Sequence, residues 1–291
     1  MRILYLGLPL GAEVLRRAGY AADVVCVGHL DANGRRRLRQ RLPQTLLLGA
    51  PSLEDPAIAL LLASARCDLI LSWFWPKKIP ASVLSLAPAF GVHPSLLPRW
   101  RGPDPYFWSI RAGDTETGVT LHRLEAEYDT GRVVAQRRVS IDPDDDGWTL
   151  ARKLDRPSLA LLVDCARRFA AGDAMAGTEQ DDALATDAPQ PEEEALALDF
   201  DCPAIEIERW VRAARPEPGA RAELGDALVT FLEVSVDDAP IPGGLEIGEA
   251  WIEGGIVRIR CGEGVLRVDR VRDEDDDGIE KSGDALIALL R

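Results

Sequence analysis

The feature that most limits the fold is the alternation, through the first 95 or so residues, of short apolar runs with segments of helical spacing. Residues 2–7 form an apolar run ending in Gly7, and residues 11–18 follow with helical spacing. Residues 22–27 are strand-like, with a polar helical segment behind them, and residues 44–48 form a weaker strand. A helix over 56–65 then leads to the strongly buried run 67–72. Strands alternating with helices of this length require parallel pairing with crossovers of one hand. The reading is α/β, an open doubly wound sheet. Ligands in such sheets lie beyond the carboxyl ends of the strands, which points to the segments after Leu6, Leu71 and Val92. Gly7-Leu8-Pro9 lacks the glycine pattern that cradles a pyrophosphate, and proline there removes a donor, so no dinucleotide is expected.

After Ser72 come Trp73, Phe74, Trp75, Lys77, Lys78 and Ile79, with Pro76 and Pro80 among them. The prolines favour a loop, and the rings are read as the wall of a flat pocket in preference to core filler. Residues 117–124 and 132–140 alternate like antiparallel strands, with 125–131 as the loop between them. A long amphipathic helix over 147–171 closes a first domain of residues 1–180. Residues 181–200, acidic and without periodicity, read as a linker. In 201–291, a helix over 204–214 precedes short strands at 227–234, 249–251, 256–261 and 265–271, as in a small barrel or sandwich. Residues 273–277 read as a solvated loop.

Charge is unevenly distributed. Residues 1–180 hold 23 Lys and Arg against 20 Asp and Glu, and residues 181–291 hold 11 against 28. The acidic second half repels a phosphate backbone, which disfavours nucleic acid as a partner. The basic run 35–41 is read as a solvated helix face. No apolar run reaches the roughly 18 to 20 residues needed to span a bilayer, and the start does not resemble a signal peptide, so no membrane partner and a cytoplasmic location are expected. The five cysteines are far apart, without paired spacing, as for thiols in a reducing compartment and not for a zinc site or disulfide framework.

The chemically useful residues crowd into 90–131. His93 falls at a predicted strand end, and Asp129 follows 36 residues later on another loop. An imidazole there can donate to a developing oxyanion while a carboxylate partner shuttles a proton. The plainer alternative is a structural histidine.

The string His93-Pro94-Ser95-Leu96-Leu97-Pro98, then Arg101-Gly102, then Thr117-Gly118-Val119-Thr120-Leu121-His122 running to Asp129-Thr130-Gly131, resembles the signature of the folate-dependent formyltransferases. The likeness is densest over 68–140 and looser through 204–219 and the small barrel, as in the methionyl-tRNA and amino-sugar members. The resemblance implies a Rossmann-like formyltransferase domain followed by a small OB-like β-barrel domain. It implies transfer of a formyl group from N10-formyltetrahydrofolate, as co-substrate and without a metal, to a primary amine. Carried over, His93 stabilises the oxyanion and acts as general acid, while Asp129 assists proton movement from the amine. The pterin would be lined by Phe74, Trp75, Lys78 and Ile79, with Tyr128 and Asp129 closing the pocket. The acidic tail favours a small-molecule amine, first a nucleotide-linked amino sugar, over methionyl-tRNA. Subunit number is left open, and a homo-oligomer is compatible with all of this.

One departure stands out. The family pattern is Asn-x-His, and this chain has Gly91-Val92-His93. Losing one oxyanion donor typically costs about 10²- to 10³-fold in rate. Three readings stay open: another donor such as His122, Ser95 or a water beside Gly91, a related acyl-transfer or hydrolase reaction, or a weakly active folate-binding relative.

Overall fold

The computed structural model describes residues 1–30 and 32–290. The chain divides into two compact units. The first comprises residues 1–105, 116–140 and 152–189, and the second residues 106–115, 141–151 and 190–291.

In the first unit five strands run parallel, joined by helical crossovers. They are β1 (Ile3–Gly7), β2 (Val24–Val27), β3 (Leu46–Gly49), β4 (Leu69–Trp73) and β5 (Ala89–His93). All but β3 are buried along their whole length, as parallel strands covered on both sides must be, and β3 is the partly exposed edge. The crossovers carry α1 (Pro9–Arg17), α2 (Arg35–Arg41), α3 (Pro56–Ser64) and the short α4 (Ala81–Leu84). Helix α3 starts where the sequence signals it: Asp55 accepts from the Ala57 N–H, and Pro56 takes the first position, where no N–H is needed.

The chain next forms α5 (Pro105–Arg111) and then β6 (Glu116–Arg123) and β7 (Val133–Ser140), which pair antiparallel and extend the sheet beyond β5. The strand order β3-β2-β1-β4-β5-β6-β7 reverses between β1 and β4. Leu4, Leu6, Val24, Cys26, Leu62 and Ile70 belong to one buried cluster between the sheet and its helices. Helix α6 (Gly147–Ala170) follows β7, within a residue of its expected end. No helix among the described residues is long and apolar enough to cross a membrane.

The second unit is built on α7 (Ala204–Ala214) and six antiparallel strands: β8 (Ala220–Leu224), β9 (Ala227–Asp237), β10 (Ala250–Glu253), β11 (Ile256–Arg260), β12 (Val265–Asp273) and β13 (Ile279–Ser282). The order is β10-β11-β12-β9-β8, with β13 added against β12, and α8 (Gly283–Ile287) follows. This is the small barrel-like β-domain that the strand spacing suggests. Ala204, Ile207, Trp210, Val211 and Ala214 recur at helical spacing and are buried.

Two local expectations change. Asp273 is the buried last residue of β12 and not part of a solvated loop, because Lys281 donates to its carboxylate across the β12–β13 pair. Residues 181–200 were expected to be a linker. The structure divides them between the two units, with Ala188 fully buried in the first, its N–H donating to the Arg101 carbonyl.

Candidate active site

Strand β5 ends on His93, and Gly91 lies two residues earlier on the same face. Across the antiparallel pair, Gly91 is opposite His122 and His93 is opposite Thr120. The loop joining β6 to β7 returns Asp129 to the same place with a left-handed backbone, φ 55°, a conformation that aspartate tolerates better than most residues. Three titratable side chains from three segments thus converge: His93 Nδ1 is 3.4 Å from Asp129 Oδ2, and His122 Nε2 is 3.5 Å from Asp129 Oδ1.

The backbone decides which ring nitrogens carry hydrogen. His93 Nε2 is 2.8 Å from the Trp100 carbonyl, and His122 Nδ1 is 2.9 Å from the Arg123 carbonyl. A carbonyl only accepts, so each of these nitrogens is the N–H donor. In the neutral rings the remaining nitrogens, both facing Asp129, are lone pairs. The Gly102 N–H adds a donor to Asp129 Oδ2 at 3.0 Å. Burial pushes the His122 imidazole below its ordinary value, outweighing the opposite pull of Asp129, while His93 adds to the lowering. With His122 held toward its neutral form, its Nε2 lone pair faces Asp129 Oδ1 and can accept from the carboxyl once that group takes a proton.

The other candidates divide. The Ser95 hydroxyl donates to the Arg99 carbonyl at 2.6 Å inside its own turn, and the residue is fully buried, so its hydrogen is committed away from any oxyanion. A Cβ on Gly91 would lie 2.7 Å from Leu124 Cδ2 and 3.4 Å from His122 Nε2, so the space beside Gly91 is bounded by these two side chains. Phe74, directly after β4, holds φ 56° and is 36% exposed. Trp75 and Ile79 pack partly against the core cluster. Lys78 bonds Glu127 at 3.0 Å and lies 5.3 Å from the centre of the Tyr128 ring, which joins the segment after β4 to the loop that carries Asp129. The buried indole nitrogens of Trp73 and Trp75 have no hydrogen-bond partner. Exposed rings at Phe74 and Tyr128, and unpartnered indole donors on Trp73 and Trp75, are groups of the kind a flat, polar-edged pterin takes, so this composition fits a reduced folate.

The roles of three contributors were not read from the sequence: Trp100, whose carbonyl holds His93; Gly102, whose N–H holds Asp129; and Gln180, which bonds the backbone on both sides of Thr130. Only the Arg101-Gly102 pair was marked in the sequence. Among the described residues no group of three or more His, Cys, Asp and Glu side chains is placed to hold a metal ion. The cysteines are all free, and burial pushes Cys26 and Cys165 up to about 12 and Cys67 and Cys261 up to about 11, which leaves these four as unreactive thiols.

Residues 13–165 match the Formyl transferase family, and residues 191–281 match Formyl transferase, C-terminal domain. Methionyl-tRNA formyltransferase of Pseudomonas paraeruginosa is 37% identical over 226 residues, covering 76% of this chain and 71% of that protein. The same enzyme of Anaeromyxobacter dehalogenans is 35% identical over 290 residues, covering 94% and 92%. Among solved structures, an N-formyltransferase of Helicobacter canadensis with folinic acid and dTDP-3-aminofucose shares the fold at TM-score 0.68 and 13% identity, covering 92% of this chain and 98% of that one. HypX of Aquifex aeolicus with tetrahydrofolic acid superposes at TM-score 0.63 and 21% identity over 97% of this chain, which spans about half of HypX, 46%. With both domain families matched in order and relatives above 30% identity across most of its length, the chain belongs to the folate-dependent formyltransferase family.

Proposed function

We propose that this protein transfers the formyl group of N10-formyltetrahydrofolate to the primary amine of a small molecule, with a nucleotide-linked amino sugar as the first acceptor class. The observation that carries the chemistry is the convergence of His93 and His122 on the Asp129 carboxylate at the end of β5. The folate supplies the one-carbon unit. In the net reaction the amine nitrogen bonds to the formyl carbon, the bond from that carbon to N10 breaks, and one proton passes from the amine to N10.

Asp129 is the group suited to take the amine proton, since its protonated form can donate to the His93 Nδ1 or His122 Nε2 lone pair. The His93 Nε2–H, which bonds the Trp100 carbonyl here, has to turn from that carbonyl to serve the charge that develops on the formyl oxygen. As Asp129 passes the amine proton to His93 Nδ1, the ring releases its Nε2 proton toward N10, so one proton moves from amine to N10 and His93 ends neutral. Because Gly91 offers no side-chain amide, and Ser95 is fully buried with its hydroxyl inside its own turn, the oxyanion relies on His93 more heavily than an Asn-x-His site would. Phe74, Trp75, Lys78, Ile79 and Tyr128 are assigned to the folate. The acidic balance of residues 181–291 supports a small acceptor.

A second acceptor, methionyl-tRNA, is favoured by the relatives, which are methionyl-tRNA formyltransferases at 33–37% identity. Purified protein is given N10-formyltetrahydrofolate and, separately, nucleotide-linked amino sugars, free amino acids and methionyl-tRNA, with tetrahydrofolate release and the formylated product both followed. The expected result is amine-dependent release with an amino sugar. Product with methionyl-tRNA alone moves the assignment to the second acceptor, and equal release without any amine indicates a hydrolase.

A further inference from the structure

The segment that follows α6 runs past the active-site loops and bonds them. Thr178 pairs with Val133, donating to and accepting from its backbone at 2.9 and 2.8 Å. Two residues later, the Gln180 side chain inserts between two loops. Its Nε2 donates to the carbonyls of Asp129 and Gly131, each at 2.7 Å, and its Oε1 accepts from Arg101 Nε at 3.0 Å and Nη2 at 2.8 Å. A primary amide has two N–H donors and two lone pairs, and all four are used here.

Arg101 leads directly into Gly102, whose N–H holds Asp129 Oδ2 at 3.0 Å. The bonds therefore close a circuit, from the Gln180 amide to the Asp129 backbone, through the Asp129 carboxylate to Gly102, and through Arg101 back to the amide. The arginine end is fixed in turn: its N–H donates to the Thr186 carbonyl at 2.8 Å, and its own carbonyl accepts from the Ala188 N–H at 2.6 Å. Apart from the exposed Lys78 contacts with Glu127 and Tyr128, the loop in front of Asp129 has few bonds of its own. Residues 125–128 are exposed, and Thr130 bonds Glu127 only at 3.4 Å. Asp129 also sits at φ 55°, a left-handed state that aspartate tolerates and that the bonds from Gln180 and Gly102 on either side help to hold.

We propose that Gln180 is a positioning residue for Asp129, fixing the backbone beneath the carboxylate to the same Arg101-Gly102 turn that binds the carboxylate itself. This rests on the formyl-transfer reading for the step it serves, although the geometry it describes does not. Positioning matters because a shift of about 1 Å in a reacting group can cost on the order of 10²-fold in rate. Gln180→Leu removes all four bonds at similar volume. Gln180→Glu keeps the acceptor for Arg101 and removes both donors to the loop, so it isolates the half of the circuit that matters.

The test measures steady-state kinetics and backbone amide exchange in the full chain. Both variants should melt within a few degrees of the parent. Each should lose about 10- to 100-fold in kcat with KM for N10-formyltetrahydrofolate and for the amine within about threefold, and the amides of Asp129, Thr130 and Gly131 should exchange about tenfold faster. Unchanged exchange at those amides overturns the proposal whatever the kinetics do, and so does faster exchange with parental kcat or with the loss confined to KM. If the parent turns over no amine, the formyl-transfer reading fails separately, and the exchange measurement alone decides whether Gln180 holds the loop.

Discussion

Gly91 and His122 face one another across the antiparallel β5–β6 pair, and a Cβ on the glycine would lie 3.4 Å from the imidazole Nε2. The position where the motif resemblance expects an amide side chain is thus bounded by a ring and, more tightly, by Leu124 Cδ2 at 2.7 Å. His122 is not a simple replacement for that amide. Its Nδ1 donates to the Arg123 carbonyl, so the nitrogen nearest Gly91 is, in the neutral ring, an acceptor that faces Asp129.

Restoring the asparagine should therefore fail on its own. Gly91→Asn has to displace Leu124, which packs against the core cluster, at a cost of about 1–3 kcal/mol for overpacking. Formyl transfer is expected to fall. Adding Leu124→Ala makes room, and the double variant should exceed Gly91→Asn alone in kcat. Denaturant midpoints and turnover of the parent and the two variants measure both effects. A rise in activity for Gly91→Asn alone would mean that the site accommodates an amide without rearrangement.

His93→Ala should remove activity while leaving the fold intact. The ring bonds the Trp100 carbonyl and faces the Asp129 carboxylate, and neither contact holds a strand of the sheet. Loss of a positioned acid–base group costs about 10²- to 10⁴-fold. The fall should appear in kcat, with folate affinity, followed by fluorescence quenching, nearly unchanged.

Much of this was legible because it is local. Apolar runs between helical segments forced a parallel sheet, and His93 at a strand end with Asp129 on the following loop marked the cluster. What escaped was set by long-range bonds without periodicity. Gln180 reaches back 79 residues to Arg101 and 51 to Asp129 from a stretch whose composition looks like the start of a tether. Asp273 escaped for a related reason: four acidic residues follow it in the chain, and only the return of β13 supplies Lys281 as its partner. Ser95 misled in the opposite direction, since a hydroxyl beside the motif histidine suggests chemistry until its turn is seen to use the hydrogen.

Burial of His122 as a neutral ring should make stability depend on pH. Its pKa in the folded chain lies below the ordinary 6.5, so under mildly acidic conditions the unfolded chain binds a proton that the folded one does not. The folded state is then favoured fully above about 6.5 and loses stability as pH falls below it, until the folded value is reached. The slope from one such group is at most about 1.4 kcal/mol per pH unit. His122→Gln, which cannot titrate, should show a smaller loss between pH 7.5 and 5.5 in urea denaturation. Equal losses in parent and variant would remove the buried neutral ring as the cause.

Gly102 should resist substitution for two separable reasons. Its φ of 126° belongs to glycine, and a Cβ there would lie 2.7 Å from the Ala188 carbonyl oxygen, backbone that Arg101 already holds in place. Gly102→Ala therefore strains the turn at a cost of about 1–3 kcal/mol. Relief of that strain moves the N–H that holds Asp129 Oδ2, so activity should fall beyond what lost stability explains. Assays well below the melting temperature, where the variant is fully folded, separate the two: a kcat reduced about tenfold or more at full folding is the expected outcome. Parental kcat under those conditions would show that the Gly102 N–H is dispensable to the carboxylate.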